Sequence, residues 1–411
     1  MENITNKRKI INDPIYGFIA LPGELIFDLI EHPWFQRLRR IKQLGLTNLV
    51  YPGALHTRFH HAIGAMYLMG QAIEVLRFKG VAISPEEEEG AYVAILLHDI
   101  GHGPFSHALE HSIIHGMNHE ALSSLFIAEL NKQFNGKLDL AIAIFEDTYA
   151  KRFLHQLVSG QLDVDRLDYL KRDSFYTGVS EGVINSDRII KMIHVVENQL
   201  VVELKGIYSI EKFIVARRLM YWQVYLHKTV VGAESLLVNV LKRAKEIALQ
   251  GVDLFATPAF RYFLYNEVSF EAIEKDQKIL GLFAQLDDFD IMASIKVWCD
   301  HSDVVLAQLS KQLINRQLFH VEIQAAPFSN DYLDKMVDAY AKADGLTNAE
   351  AKYFVYSGKL ENEAYKLDRN SIMILLKDNS LADLTSISDQ LTSSSIAKPV
   401  VKYFICYPKG L

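Results

Sequence analysis

Nine of the 15 histidines in this chain fall in one stretch: His56, His60, His61, His98, His102, His107, His111, His115 and His119. Neutral imidazole is the commonest protein ligand for transition metals and a ready proton carrier near neutral pH. His98 is followed by Asp99 at the end of the apolar run AYVAILL. A carboxylate placed there needs a cation or a set of donors, because burying it alone costs several kcal/mol. His98, His102 and His107 in HDIGHGPFSH supply imidazoles beside it, and HTRFHHAIG sets Arg58 and His61 three apart on one helical face. Such a set suits a metal ion flanked by proton-transfer groups. The bland alternative, a capping Asp bonded to a core His, accounts for the dipeptide but not for the cluster.

Two further patterns share a spacing. Asp165, Tyr169 and Asp173 stand at i, i+4 and i+8, one stripe of a helix; Arg217, Tyr221 and Tyr225 repeat it, with Lys228 just beyond. An aromatic stripe is more often core than binding wall, but the flanking Arg and Lys weigh against that here.

The elements that must carry these residues read as mainly α. Residues 9–20 suggest a short strand with an Asn-Asp-Pro turn, and PWFQRLRRIKQLG a helix stopped by Gly45. Residues 58–79 have a broad apolar face. Ser84 as N-cap, Pro85 at the first position and Glu87 closing a capping box start a helix that runs to His98. The acidic run Glu86–Glu89 thereby reads as complement to the helix dipole and not as a binding patch. Helices are expected over 118–134, 139–147, 151–159 and 163–173, a hairpin over 193–204, and a long helical stretch over 207–249. Beyond about 315, FHVEIQ, SIMILLK and VKYFICY alternate with helices. The reading is a helical domain over 1–315 and a smaller C-terminal α+β region over 316–411.

Composition sets the frame. Lys+Arg 43 against Asp+Glu 50 gives a net charge of −7, and 50% hydrophobic residues with 23% charged is ordinary for a globular chain. A pI near 6.1 argues against a general nucleic-acid binder while leaving room for a local basic pocket. Cys299 and Cys406 cannot build a disulfide framework or a cysteine zinc module; with no signal core and no long apolar run, a cytoplasmic protein without membrane spans is expected.

The ordered segments HTRFHHAIG, HDIGHGPFSH, NHEALS and DVDRLDYLKRD resemble the HD-domain metal-dependent phosphohydrolases. The likeness is closest to the deoxynucleoside triphosphate triphosphohydrolases and runs from KIINDPIYG through FQRLRRIKQLG to VYLHKTV, roughly residues 9–250. No segment matches a SAM domain. The resemblance implies an HD core at about 50–175 and one divalent ion (Mn, Fe, Zn, Co or Mg) on His61, His98, Asp99 and Asp165. It also allows a second Mg on substrate phosphates. It implies His119 as catalytic acid oriented by Glu120, His102 beside the scissile phosphate, and His107, Arg58, Arg166, Arg217 and Lys228 on phosphates. Tyr169 and Asp173 would hold the sugar, Gln43 and Leu44 would touch it, and Tyr225 would exclude a 2′-hydroxyl. Tyr221, with Leu226, replaces a polar residue of the vertebrate relative and puts base preference in doubt. Lys9, Asn12, Glu31, Gln36 and Arg39 match positions that bind an activating nucleotide between subunits, so a dimer or tetramer is implied. The competing interpretation of FQRLRRIKQLG is a solvated basic face.

The expected reaction is hydrolysis of a dNTP to deoxynucleoside and triphosphate. The alternatives are another HD phosphohydrolase, acting on nucleoside monophosphates or alarmones, or a nucleotide-sensing or single-stranded nucleic-acid-binding module.

Overall fold

The computed structural model describes residues 9–105, 112–114, 118–362, 371–391 and 399–411. His107 lies outside them.

A hairpin of β1 (Ile10–Asp13) and β2 (Gly17–Ala20) opens the chain. Two strands form where one was expected, because Asp13 closes the turn: its Oδ1 accepts the amides of Ile15 and Tyr16, and Gly17 takes φ 73°. After α1 (Glu24–Glu31), α2 (Pro33–Gln36) lasts one turn and tightens into a 3₁₀ turn, Arg37–Arg40. The long helix expected here does not form. At Ile41 the chain turns extended, and the Ile41 carbonyl accepts the Arg58 amide while Gln43 N–H donates to the His56 carbonyl. Tertiary pairing has overridden a local helical preference.

Three helices frame the centre: α3 (Arg58–Phe78), α4 (Pro85–Leu97) and, after α5 (His119–Gln133), α6 (Asp139–Phe145) and α7 (Arg152–Val158), the helix α8 (Val164–Thr177). Helix α3 is buried on most sides, from Phe59 through Ala62, Met66 and Met69 to Leu76. The Ser84–Glu87 capping box forms as expected, with Glu87 N–H donating to Ser84 Oγ at 3.2 Å and Ser84 N–H to Glu87 Oε2 at 2.8 Å. Helix α8 starts on Asp163 and ends at Gly178, φ 74°.

Beyond α9 (Ser186–Met192), β3 (Ile193–Val196) and β4 (Gln199–Glu203) pair as expected. The stretch 207–249 is not one helix. It divides into α10 (Ile207–Met220), a π-helical turn over Tyr221–Tyr225, and α11 (Lys228–Leu249) capped by His227. The wide turn falls on the tyrosines of the second stripe, and such bulges are frequent at functional sites. Further helices follow, among them α12 (Pro258–Tyr265), α13 (Phe270–Lys275), α14 (Gln277–Phe283) and α15 (Asp288–Trp298). C-terminally, β5 (His320–Gln324) and β6 (Tyr356–Asn362) flank a long strand, Val400–Tyr407, on either side, while the strand Met373–Leu375 runs parallel to β4. The strand β6 was not anticipated; Gly358 and Asn362 at inward-facing positions hide the alternation. The fold is mainly α, with small sheets.

No helix among the described residues is long and apolar enough to cross a membrane.

Candidate metal centre and active site

Helix α3 presents His61, the end of α4 presents His98 and Asp99, and the first turn of α8 presents Asp165. One ligand atom each of His61, His98 and Asp99 lies within 4.8 Å of the others. Nε2 of His61 stands 3.4 Å from Nε2 of His98, and Asp165 Oδ1 lies 3.0 Å from the first and 3.5 Å from the second. Asp99 Oδ1 is 3.4 Å from His98 Nε2, and its Oδ2 is 3.9 Å from His61 Nε2. Two donors each about 2.1 Å from a shared ion stand about 3 to 4 Å apart, so these separations fit one divalent metal.

Both imidazoles are held with Nε2 toward that point. His98 Nδ1 donates to the Ile95 carbonyl at 2.6 Å, and His61 Nδ1 donates to Asp168 Oδ2 at 2.8 Å. Fixing one ring nitrogen selects the tautomer whose other nitrogen can ligate. Asp168 is in turn gripped by the Arg172 fork at 2.9 and 3.0 Å. Sequence reading missed this pair, although Asp168 follows Asp165 by three and Arg172 follows Asp168 by four. Gly64, three after His61, makes the crossing of α3 and α8 possible: a Cβ there would sit 2.1 Å from Arg172 Nη2 and Asp168 Oδ1.

The electrostatics are those of a cation site. Burial lowers the His61 pKa, but Asp165 and Asp168 outweigh it and lift it to about 10. Burial likewise opposes ionisation of Asp99 and Asp165, yet the facing imidazoles hold both carboxyls below the usual range, with Arg58 adding to the effect at Asp99. His102 moves oppositely, down to about 3, through burial and the Arg58 charge.

His102 and His119, the expected proton carriers, lie on one side. They stack with ring centroids 4.0 Å apart, and His102 Nε2 is 3.3 Å from Asp99 Oδ1. Gly101 allows this, since a Cβ would press to 2.5 Å on the His119 carbonyl oxygen at the start of α5. Asn118 caps that helix through the Glu120 amide. His98, Asp99, His119, Glu120, Asp165 and Arg166 all border a cleft of about 590 Å³. Arg166 donates to Asp163 Oδ2 and the Gly160 carbonyl while bordering it, and Arg58 Nη1 donates to Asp99 Oδ2.

On the other side, Tyr169 packs edge-on to both His61 and Tyr225, at 6.5 and 6.3 Å. Tyr225 meets Tyr221 at 5.1 Å, and Arg217 lies 5.9 Å over the Tyr221 ring. Tyr225 Oη donates to Asp173, whose other oxygen takes His56 Nε2. His56 belongs to the histidine cluster but had been given no role. Gln43 adjoins this group through its backbone bond to His56, with Leu44 next to it, and Lys228 opens α11.

The outlying five residues fall on the N-terminal face. Lys9 lies 3.4 Å from Glu31, Arg39 Nε donates to Gln36 Oε1 at 2.8 Å, and Asn12 pairs opposite Phe18 in the hairpin.

Residues 58–173 match the HD domain model, and residues 184–255 match the HD associated region. A phosphohydrolase from Bacteroides thetaiotaomicron superposes with a TM-score of 0.95 at 53% identity, over 98% of this chain and 100% of its own. The uncharacterized protein YwfO of Bacillus subtilis is 32% identical over 99% of this chain and 93% of its own length. The deoxynucleoside triphosphate triphosphohydrolase SAMHD1 homolog of Dictyostelium discoideum is 32% identical over 58% of this chain, which spans 50% of that relative. With His61, His98, Asp99 and Asp165 all inside the matched domain, the chain belongs to the HD-domain phosphohydrolase family.

Proposed function

We propose that this protein hydrolyses deoxynucleoside triphosphates to a deoxynucleoside and triphosphate. The observation that carries the reading is the Tyr169–Asp173–Tyr225 wall beside the candidate metal ligands, aromatic and acidic side chains of the kind that hold a sugar and that a simple phosphomonoesterase does not need. The named triphosphohydrolase among the relatives supports the substrate class.

A divalent ion held by His61, His98, Asp99 and Asp165 would supply an acidified water and polarise a phosphoryl oxygen. The chain's own groups do the rest. Arg58, fixed on Asp99, directs positive charge toward the α-phosphate, where a guanidinium fork matches the oxygens. His119, on the cleft wall at the start of α5, delivers a proton to the departing 5′ oxygen, with His102 stacked against it to hold the ring. Tyr225 closes off the space under C2′, and Asp173 accepts from the sugar hydroxyl.

Incubating the metal-loaded protein with the four dNTPs, with and without GTP, and following products by phosphorus NMR tests the proposal. Triphosphate is the expected product. Orthophosphate from monophosphates, with dNTPs untouched, would move the protein to the monophosphatase class.

A further inference from the structure

The Asn-Asp-Pro turn near the N-terminus has no part in the chemistry above, yet its aspartate ends in the middle of the molecule. Asp13 is only 4% exposed. Its Oδ1 is used by the turn, accepting Ile15 and Tyr16 N–H at 2.9 and 3.0 Å; its Oδ2 accepts Arg172 Nη1 at 2.8 Å. The guanidinium of Arg172, with no exposed surface, is therefore held from both ends: Nη1 by Asp13, Nε and Nη2 by Asp168. Asp168 then orients His61 through Nδ1.

We infer that Asp13 is a positioning residue for the metal centre, acting through Arg172 and Asp168 to aim His61 at the ion, so that the hairpin β1–β2 is part of the active-site framework. This rests on the metal-site reading but not on the identity of the substrate. A fork bonded only to Asp168 keeps that pair together but leaves it free to swing as a unit; the third bond, to a carboxylate fixed by a closed turn, removes that freedom. Charge points the same way. Arg172 faces two carboxylates, and removing the outer one leaves a fully buried charged donor without an acceptor, which is unfavourable. The arrangement relaxes by letting Arg172 and Asp168 shift, and His61 is the next link. Gly64 admits no slack on the α3 side, because the fork and Asp168 already fill the space where a side chain would start.

The test uses the full chain with Asp13→Asn, which keeps an oxygen for the turn amides but removes the charge facing Arg172. Asp13→Ser, whose hydroxyl can also cap the turn, guards against a folding failure of the first variant. Two readouts are taken well below the melting temperature. In equilibrium dialysis against Mn²⁺, affinity should fall about tenfold, the lower end of what outer-shell substitutions cause. In spectra of protein labelled with ¹⁵N-histidine, the His61 Nδ1–H signal, slow to exchange in the parent protein, should shift and exchange faster in both variants. Parent-like Mn²⁺ affinity together with an unchanged His61 signal overturns the inference. Should the parent protein itself bind no Mn²⁺, the metal reading fails, and the His61 signal alone still decides whether Asp13 positions that ring.

Discussion

Tyr225 Oη donates to Asp173 Oδ2 at 2.7 Å, and Asp173 Oδ1 lies 2.7 Å from His56 Nε2. The residue proposed to reject a 2′-hydroxyl and the residue proposed to hold the sugar are thus one bonded unit, reaching from the π-turn to α8. Tyr225→Ala should weaken the preference for deoxy over ribo substrates. A buried unsatisfied hydroxyl costs about 1–3 kcal/mol, or roughly 5- to 150-fold. Because the phenol is anchored by Asp173, Asp173→Ala should also erode the ratio, and the double variant should lose less than the sum. Comparing dGTP with GTP hydrolysis in the three variants checks this; strict additivity would separate the two roles.

His119→Ala should keep bound metal while turnover drops by about 10²–10⁴, the usual size of a general-acid contribution. Metal content by elemental analysis and single-turnover rates decide it. Full activity would remove His119 from the mechanism.

Metal loading should release protons. In the metal-free protein the His61 pKa lies near 10, above its ordinary value of 6.5, so at neutral pH the ring is protonated, but a ligating imidazole must be neutral. Affinity should therefore rise with pH up to about 10. The same shift stabilises the metal-free fold fully below pH 6.5, and this contribution fades as pH rises through 10. Calorimetric titration in buffers of differing ionisation enthalpy should return at least one proton released per ion at pH 7, since at His98 too the facing carboxylates outweigh burial and raise the pKa; a value of zero refutes the neutralisation.

Gly64→Ala should be among the most damaging small substitutions in the chain. The added carbon would fall 2.1 Å from two buried side-chain ends, Arg172 Nη2 and Asp168 Oδ1, that their mutual ion pair holds in place. Overpacking of this kind costs about 1–3 kcal/mol, and here it also spreads the Asp168–Arg172 pair behind His61. Thermal unfolding should drop by several degrees together with Mn²⁺ affinity; a parent-like melting temperature with parent-like affinity would show that α3 and α8 can separate at little cost.

Asp288→Ala should loosen the segment that runs from His98 and Asp99 to Phe105. The buried Asp288 carboxylate accepts the backbone amides of Lys42 at 3.0 Å and Phe105 at 3.1 Å, and burial lifts its pKa to about 6. Removing it orphans two donors, at about 1–3 kcal/mol each. Chemical denaturation measures the loss.

What the sequence determined by itself is local or spacing-encoded. Residues one helical turn apart share a face wherever the helix forms, so the Asp165–Tyr169–Asp173 stripe, the Ser84 capping box and the His98–Asp99 terminus could be read directly. The tertiary structure decided everything that depends on a partner distant along the chain. FQRLRRIKQLG breaks at Ile41 because residues 56–58 claim its backbone, and Arg37 goes to the Ile100 carbonyl at 2.7 Å instead of a solvated basic face. Asp13 reaches Arg172 across 159 positions and His56 reaches Asp173 across 117. Such pairs leave no period in the sequence: each is fixed by the need of a buried polar group for a partner, and only the packed fold says which groups are buried together.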